Sequence, residues 1–194
     1  MTLIEVTLSI GIFAIVLVAI SAFQVSVFQN KTSAQNGIIS AQDAENILKV
    51  MAKELRSARQ GADGSYAVIS TGTSSVSFFS DANGDGTVDE ITYFATSSTL
   101  KRSVISPTGS PASYDMAQQK TNILINTLAA TTTPIFTYFD GTYTGTSSPL
   151  AQPVSPNAVR LVRISVTIDA DPKRSPLPIT YTSQTTLRNL KDNL

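Results

Sequence analysis

The chain has 194 residues, 14 basic and 14 acidic side chains, and a formal net charge of zero. It contains no Cys, no His and no Trp, so no disulfide holds the fold and the commonest general base and zinc ligand is missing. These numbers leave room for a membrane segment plus one globular domain, point away from catalysis, and supply no global field to recruit nucleic acid or anionic lipid.

The first element is an apolar run from Leu3 to Phe23, interrupted by one carboxylate, Glu5, and free of Lys and Arg up to Lys31. About 20 apolar residues are enough to cross a bilayer as a helix. A charge inside such a helix costs at least ~2.5 kcal/mol, so Glu5 calls for a partner. An N-terminal amine, its own or that of a neighbouring copy, is the obvious one. The run begins without the basic flank of a signal peptide or of an uncleaved anchor. The expectation is a basic leader before Met1 that has been removed; the alternative is a plain bitopic anchor.

Helical character continues past the polar patch Gln29 to Asn36. Ile38, Ala41, Ala44, Leu48, Met51, Leu55 and Ala58 recur at steps of three and four, which places them on one face as core. Gln42, Asp43, Lys49, Lys53, Glu54 and Arg56 fall largely on the remaining surface. Lys53, Arg56 and Arg59 suit the negative end of the helix dipole, and Gly61 and Gly64 supply a stop. One helix from Thr2 to Gln60 would be about 90 Å long at 1.5 Å per residue. Asn36-Gly37 is its candidate kink.

Beyond Gly64 short β-branched and aromatic runs alternate with turn residues. Strands are expected at 66–69, 75–79, 90–94, 99–104, 135–139, 159–168 and 179–187. Residues 122–128 read as a strand or a single helical turn. Segments 131–134, 141–156 and 169–178 are loops rich in Ser, Thr, Gly and Pro. A long helix followed by antiparallel strands is an α+β arrangement. Residues 1–28 form the hydrophobic transmembrane or filament-core helix, 29–60 its amphipathic continuation, and 61–194 the antiparallel β-sheet domain on which the helix packs.

Two motifs invite chemistry. Asp81-Ala82-Asn83-Gly84-Asp85-Gly86-Thr87-Val88-Asp89-Glu90 opens like a calcium loop, with Asp81, Asn83, Asp85, the Thr87 carbonyl and Asp89 as oxygen donors. Its twelfth position is Thr92 rather than a bidentate Glu. The same residues read more readily as a tight hairpin turn with Asn-Gly and Asp-Gly at positive φ. Arg160, Arg163 and Lys173-Arg174 read as solvated strand faces, and no sequence-specific contact with nucleic acid is expected. The Ser and Thr runs at 131–133 and 142–148 are loops, with or without O-glycans.

Met1-Thr2-Leu3-Ile4-Glu5-Val6, with the helix that follows, resembles the mature N-terminus of the type IV filament superfamily, the type IV pilins and the pseudopilins of type II secretion. That resemblance implies cleavage by a prepilin peptidase and methylation of the Met1 amine. It also implies pairing of Glu5 with the first-residue amine of a neighbouring subunit. Ala44 to Arg59, Ser77-Phe78-Phe79-Ser80-Asp81 to Tyr93, and Thr185-Thr186-Leu187-Arg188-Asn189 are similar to J-type pseudopilins and W-type minor pilins. Ala22 stands where many pilins have a Pro, and the Cys pair that closes a C-terminal loop in many of them is missing.

The function implied is structural. A subunit waits in the membrane as a single-pass protein, then joins a homo-oligomeric helical filament on the cell surface, with the pilus or secretion machinery as partner. A minor or tip subunit of such a machine is one alternative. A membrane-tethered adhesion or binding domain that never polymerises is another.

Overall fold

The computed structural model describes residues 2–129, 133–169 and 177–190. Helix α1 runs from Leu3 to Arg56, 54 residues and about 80 Å at 1.5 Å per residue. It continues through Asn36-Gly37 without a break in helical structure. It stops four residues short of Gln60 because tertiary pairing captures the backbone there. The Arg59 N–H donates to the Phe79 carbonyl at 2.9 Å, and the Ser57 and Ser80 hydroxyls meet at 2.8 Å.

Among the described residues ten strands follow: β1 (Val68–Thr71), β2 (Ser75–Ser80), β3 (Asp89–Thr96), β4 (Thr99–Ile105), β5 (Pro107–Thr108), β6 (Ser113–Tyr114), β7 (Lys120–Ile125), β8 (Phe136–Phe139), β9 (Leu161–Ile168) and β10 (Ile179–Thr186). They form a five-stranded sheet ordered β1-β2-β3-β4-β7, a three-stranded sheet ordered β10-β9-β8, and the small β5-β6 hairpin. All pairings are antiparallel. The α+β arrangement expected from the sequence is the one observed. The sheet region divides, however, where the sequence suggested a single sheet. The two large sheets are stitched together at Thr73, whose carbonyl accepts from both Ile135 and Phe136, and by the bridge between Leu128 and Ile168.

The core explains the order of elements. Ala44, Leu48, Met51, Leu55 and Ala58 are buried on one face of α1, as their spacing requires. They meet Val76, Phe78, Ile91, Tyr93 and Leu100 from the larger sheet and Phe136, Tyr138, Val162, Ile164 and Val166 from the smaller. β9 alternates cleanly, with Val162, Ile164, Val166 and Ile168 inward and Leu161, Arg163, Ser165 and Thr167 half-exposed. The buried Thr185 hydroxyl on β10 donates to the Ala52 carbonyl at 3.1 Å and ties that strand to the helix. The Ile38 side chain lies outside the described residues.

Candidate functional site

The N-terminal half of α1 is apolar and exposed along most of its length. Leu3–Gln29 is a 27-residue stretch long and apolar enough to cross a membrane, and none of its most apolar window is buried. Leu3, Phe13, Ile15 and Phe23 are all more than 60% exposed. Water is a poor solvent for such a surface, so lipid or another apolar partner is required.

Three hydroxyls along this stretch are satisfied within the helix. The Thr7 hydroxyl donates to the Leu3 and Ile4 carbonyls, Ser9 to the Glu5 carbonyl at 2.8 Å, and Ser21 to the Leu17 carbonyl at 2.8 Å. Such back-bonding hides hydroxyls that would otherwise be costly in hydrocarbon. Glu5 is treated the same way. Its carboxylate accepts the Thr2 N–H at 2.7 Å, one turn back, where a negative charge also suits the helix dipole. The nearest described partner of Glu5 is therefore its own helix start. Met1 lies outside the described residues, and so does the Met1 half of the expected pairing.

The junction between α1 and the sheets holds a buried charged network. The sequence pattern put Glu54 with the exposed residues of the helix, yet it is 8% exposed. Its Oε1 accepts from Arg102 Nη2 at 2.7 Å, and its Oε2 accepts from Arg102 Nε at 3.1 Å and from the Tyr93 hydroxyl at 2.5 Å. Tyr93 and Arg102 sit directly opposite each other on β3 and β4, so one register presents both donors to one carboxylate. Burial pushes the Tyr93 hydroxyl far above the usual tyrosine range, and the Glu54 charge pushes it further. Helical periodicity alone does not reveal this exception; the signal is a cross-strand cation that becomes visible once the sheet is paired.

The Asp81–Glu90 motif forms the turn between β2 and β3 and runs into the first two residues of β3. Asp81 accepts from the Gly84 N–H at 2.7 Å and the Gly86 N–H at 2.9 Å, and it pairs with Arg59 at 3.4 Å. Asn83 Oδ1 accepts the Asp85 N–H, while Asp85 accepts the Thr87 N–H and the Asn83 amide. These bonds hold the Asp85 carboxyl below its ordinary range. Gly84 and Gly86 have φ of +79° and +87°, as the turn reading requires. Asp89 stands apart at the start of β3, 2% exposed, and accepts from the Ala82 N–H. Asp81, Asn83 and Asp85 therefore share one loop, with oxygens turned to local donors and to a guanidinium. Among the described residues no group of three Asp, Glu, His or Cys side chains is placed to hold a metal ion.

The basic strand residues are engaged within the fold. Arg163 stacks over the Phe139 ring at 4.7 Å and donates to the Tyr143 hydroxyl. Arg160 donates to the Asn157 carbonyl at 2.7 Å. Lys173 and Arg174 lie outside the described residues, as do Thr131 and Thr132.

The β5-β6 hairpin has no counterpart among the expected strands. Its Tyr114 ring packs against Phe79 at 4.8 Å, and its hydroxyl donates to the Val88 carbonyl while accepting the Ala62 N–H. The hairpin thereby walls a cleft beside β2 and β3. Two-residue strands carry too little pattern to be read from sequence.

Comparison with known protein families, with curated proteins and with solved structures returns no match.

Proposed function

We propose that this chain is a structural subunit of a type IV pilus-like filament, held in the membrane by Leu3–Gln29 and polymerised through that helix. The observation that carries the reading is the continuity of α1. One unbroken helix has an N-terminal half whose most apolar window is not buried and a C-terminal half whose apolar face is buried against two sheets. Such a rod delivers its apolar half either to lipid or to the same half of other copies.

Glu5 gives the assembly its register. In the single chain its carboxylate caps the helix start through Thr2. In an apolar bundle, pairing with the Met1 amine of a neighbour offsets the cost of burying the charge, so misaligned copies are penalised. Pseudopilin and minor-pilin roles belong to the same class and differ in abundance along the filament. A tethered adhesion domain is the rival, and it predicts a free monomer in detergent with no dependence on Glu5.

The test is fractionation of cells that express the chain. Recovery in sheared, high-molecular-weight surface filaments as well as in the membrane supports the reading. Recovery in the membrane alone contradicts it.

A further inference from the structure

Two surfaces near the end of α1 carry opposite charge. On one side, the open cleft walled by the β5-β6 hairpin has a volume of about 530 Å³, and its lining includes Asp63, Tyr66, Phe79, Glu90 and Tyr114. Its charged lining consists of two carboxylates with no Lys or Arg. Burial raises the Glu90 carboxyl above its ordinary value, and the charge of Asp63 adds to the effect. Neither carboxylate forms an ion pair with a described residue. Tyrosine faces beside carboxylates suit a guanidinium or ammonium group, which gains from both the rings and the charge.

On the other side, Lys53 and Arg56 are exposed on the last turn of α1 and border a second cleft together with Arg188. These three cations form no ion pair with a described residue, whereas Arg59 and Arg102, close by, are taken by Asp81 and Glu54. Lys53 stands 24 residues beyond Gln29, about 36 Å along the helix at 1.5 Å per residue. Lipid headgroups at the end of the membrane-spanning stretch are therefore out of its reach.

We infer that the acidic, tyrosine-walled cleft of one copy receives the Lys53–Arg56 end of α1 from a second copy. The inference rests on the filament reading and names a lateral contact for it. The two surfaces are different parts of one chain, so each copy that docks leaves one acidic and one basic surface open. Contacts of that kind propagate rather than close. They also balance a chain whose net charge is zero.

The experiment uses the full chain in cells that assemble it, with Asp63→Lys, Arg56→Glu and the double variant. Both side chains are exposed, and because Asp63 also accepts the Ser65 N–H and hydroxyl, thermal melting of each variant in detergent checks that folding is preserved. Each single reversal is expected to lower filament yield about fivefold or more, since repulsion replaces attraction at every contact. The double variant is expected to restore it. Because the chain has no Cys, Asp63→Cys and Arg56→Cys chains expressed together should give a disulfide-linked dimer that neither gives alone.

Unchanged yields with no mixed dimer, while Glu5→Ala still blocks filaments, overturn this contact and leave the filament reading standing. Single losses that the double variant does not restore overturn the pairing as well. An unmodified chain that never polymerises overturns both.

Discussion

Glu54 on α1 and Arg102 on β4 form a two-pronged ion pair, 2.7 and 3.1 Å, across the helix–sheet junction. With the Tyr93 hydroxyl on the same carboxylate, it fixes how far α1 is rotated and advanced over the sheet. The proposed filament role would need such a fixed joint, since the rod would then transmit its position to its neighbours.

Removing one partner should therefore cost more than removing both. Arg102→Leu leaves Glu54 buried and unpaired, a loss of about 3 kcal/mol or more, whereas Glu54→Leu with Arg102→Leu replaces a charged pair with apolar packing. Chemical denaturation of the full chain in detergent measures the two. A double variant no more stable than the single Arg102→Leu contradicts the role assigned to the pair.

Stability should fall on the alkaline side. Burial raises the hydroxyls of Tyr93 and Tyr138 well above their ordinary value of 10.0. The unfolded chain ionises these groups from about pH 10 while the folded chain keeps them neutral, so their contribution is complete below that pH and declines above it. Each tyrosine adds a slope of up to about 1.4 kcal/mol per pH unit. Melting temperature followed from pH 8 upward checks this, and Tyr93→Phe should flatten the decline.

Calcium should leave the melting temperature unchanged. The oxygens of Asp81, Asn83 and Asp85 already serve turn donors and Arg59. A saturable rise in melting temperature on titration with calcium would return the loop to the cation and show that these bonds rearrange around it.

The mass of the native N-terminal peptide reports processing. The expected species is the peptide starting at Met1 with a methylated amine. A peptide that retains a leader, or a formylated start, contradicts maturation by a prepilin peptidase.

Much of this molecule is legible in its sequence, for identifiable reasons. The spacing of Ala44, Leu48, Met51 and Leu55 is a strong periodic signal and became a buried face of α1, and the Leu3–Phe23 run became an exposed apolar helix. Strands rich in β-branched and aromatic residues, such as Ser75–Ser80 and Leu161–Ile168, were readable to within a residue or two. The end of α1 was not, because the Phe79 carbonyl claims Arg59 N–H from a distant strand. Glu54 was not, because its burial depends on two residues that only sheet pairing brings opposite each other. The acidic cleft was not, because its walls come from the loop after α1, the β2-β3 pair and a two-residue strand.

The most direct measurement is filament yield from the Glu5→Ala chain, with its membrane level measured in the same cells. The expected result is unchanged insertion, since Leu3–Gln29 remains apolar, and filaments lost or sharply reduced. Filaments at the level of the unmodified chain would contradict the assignment of Glu5 to assembly.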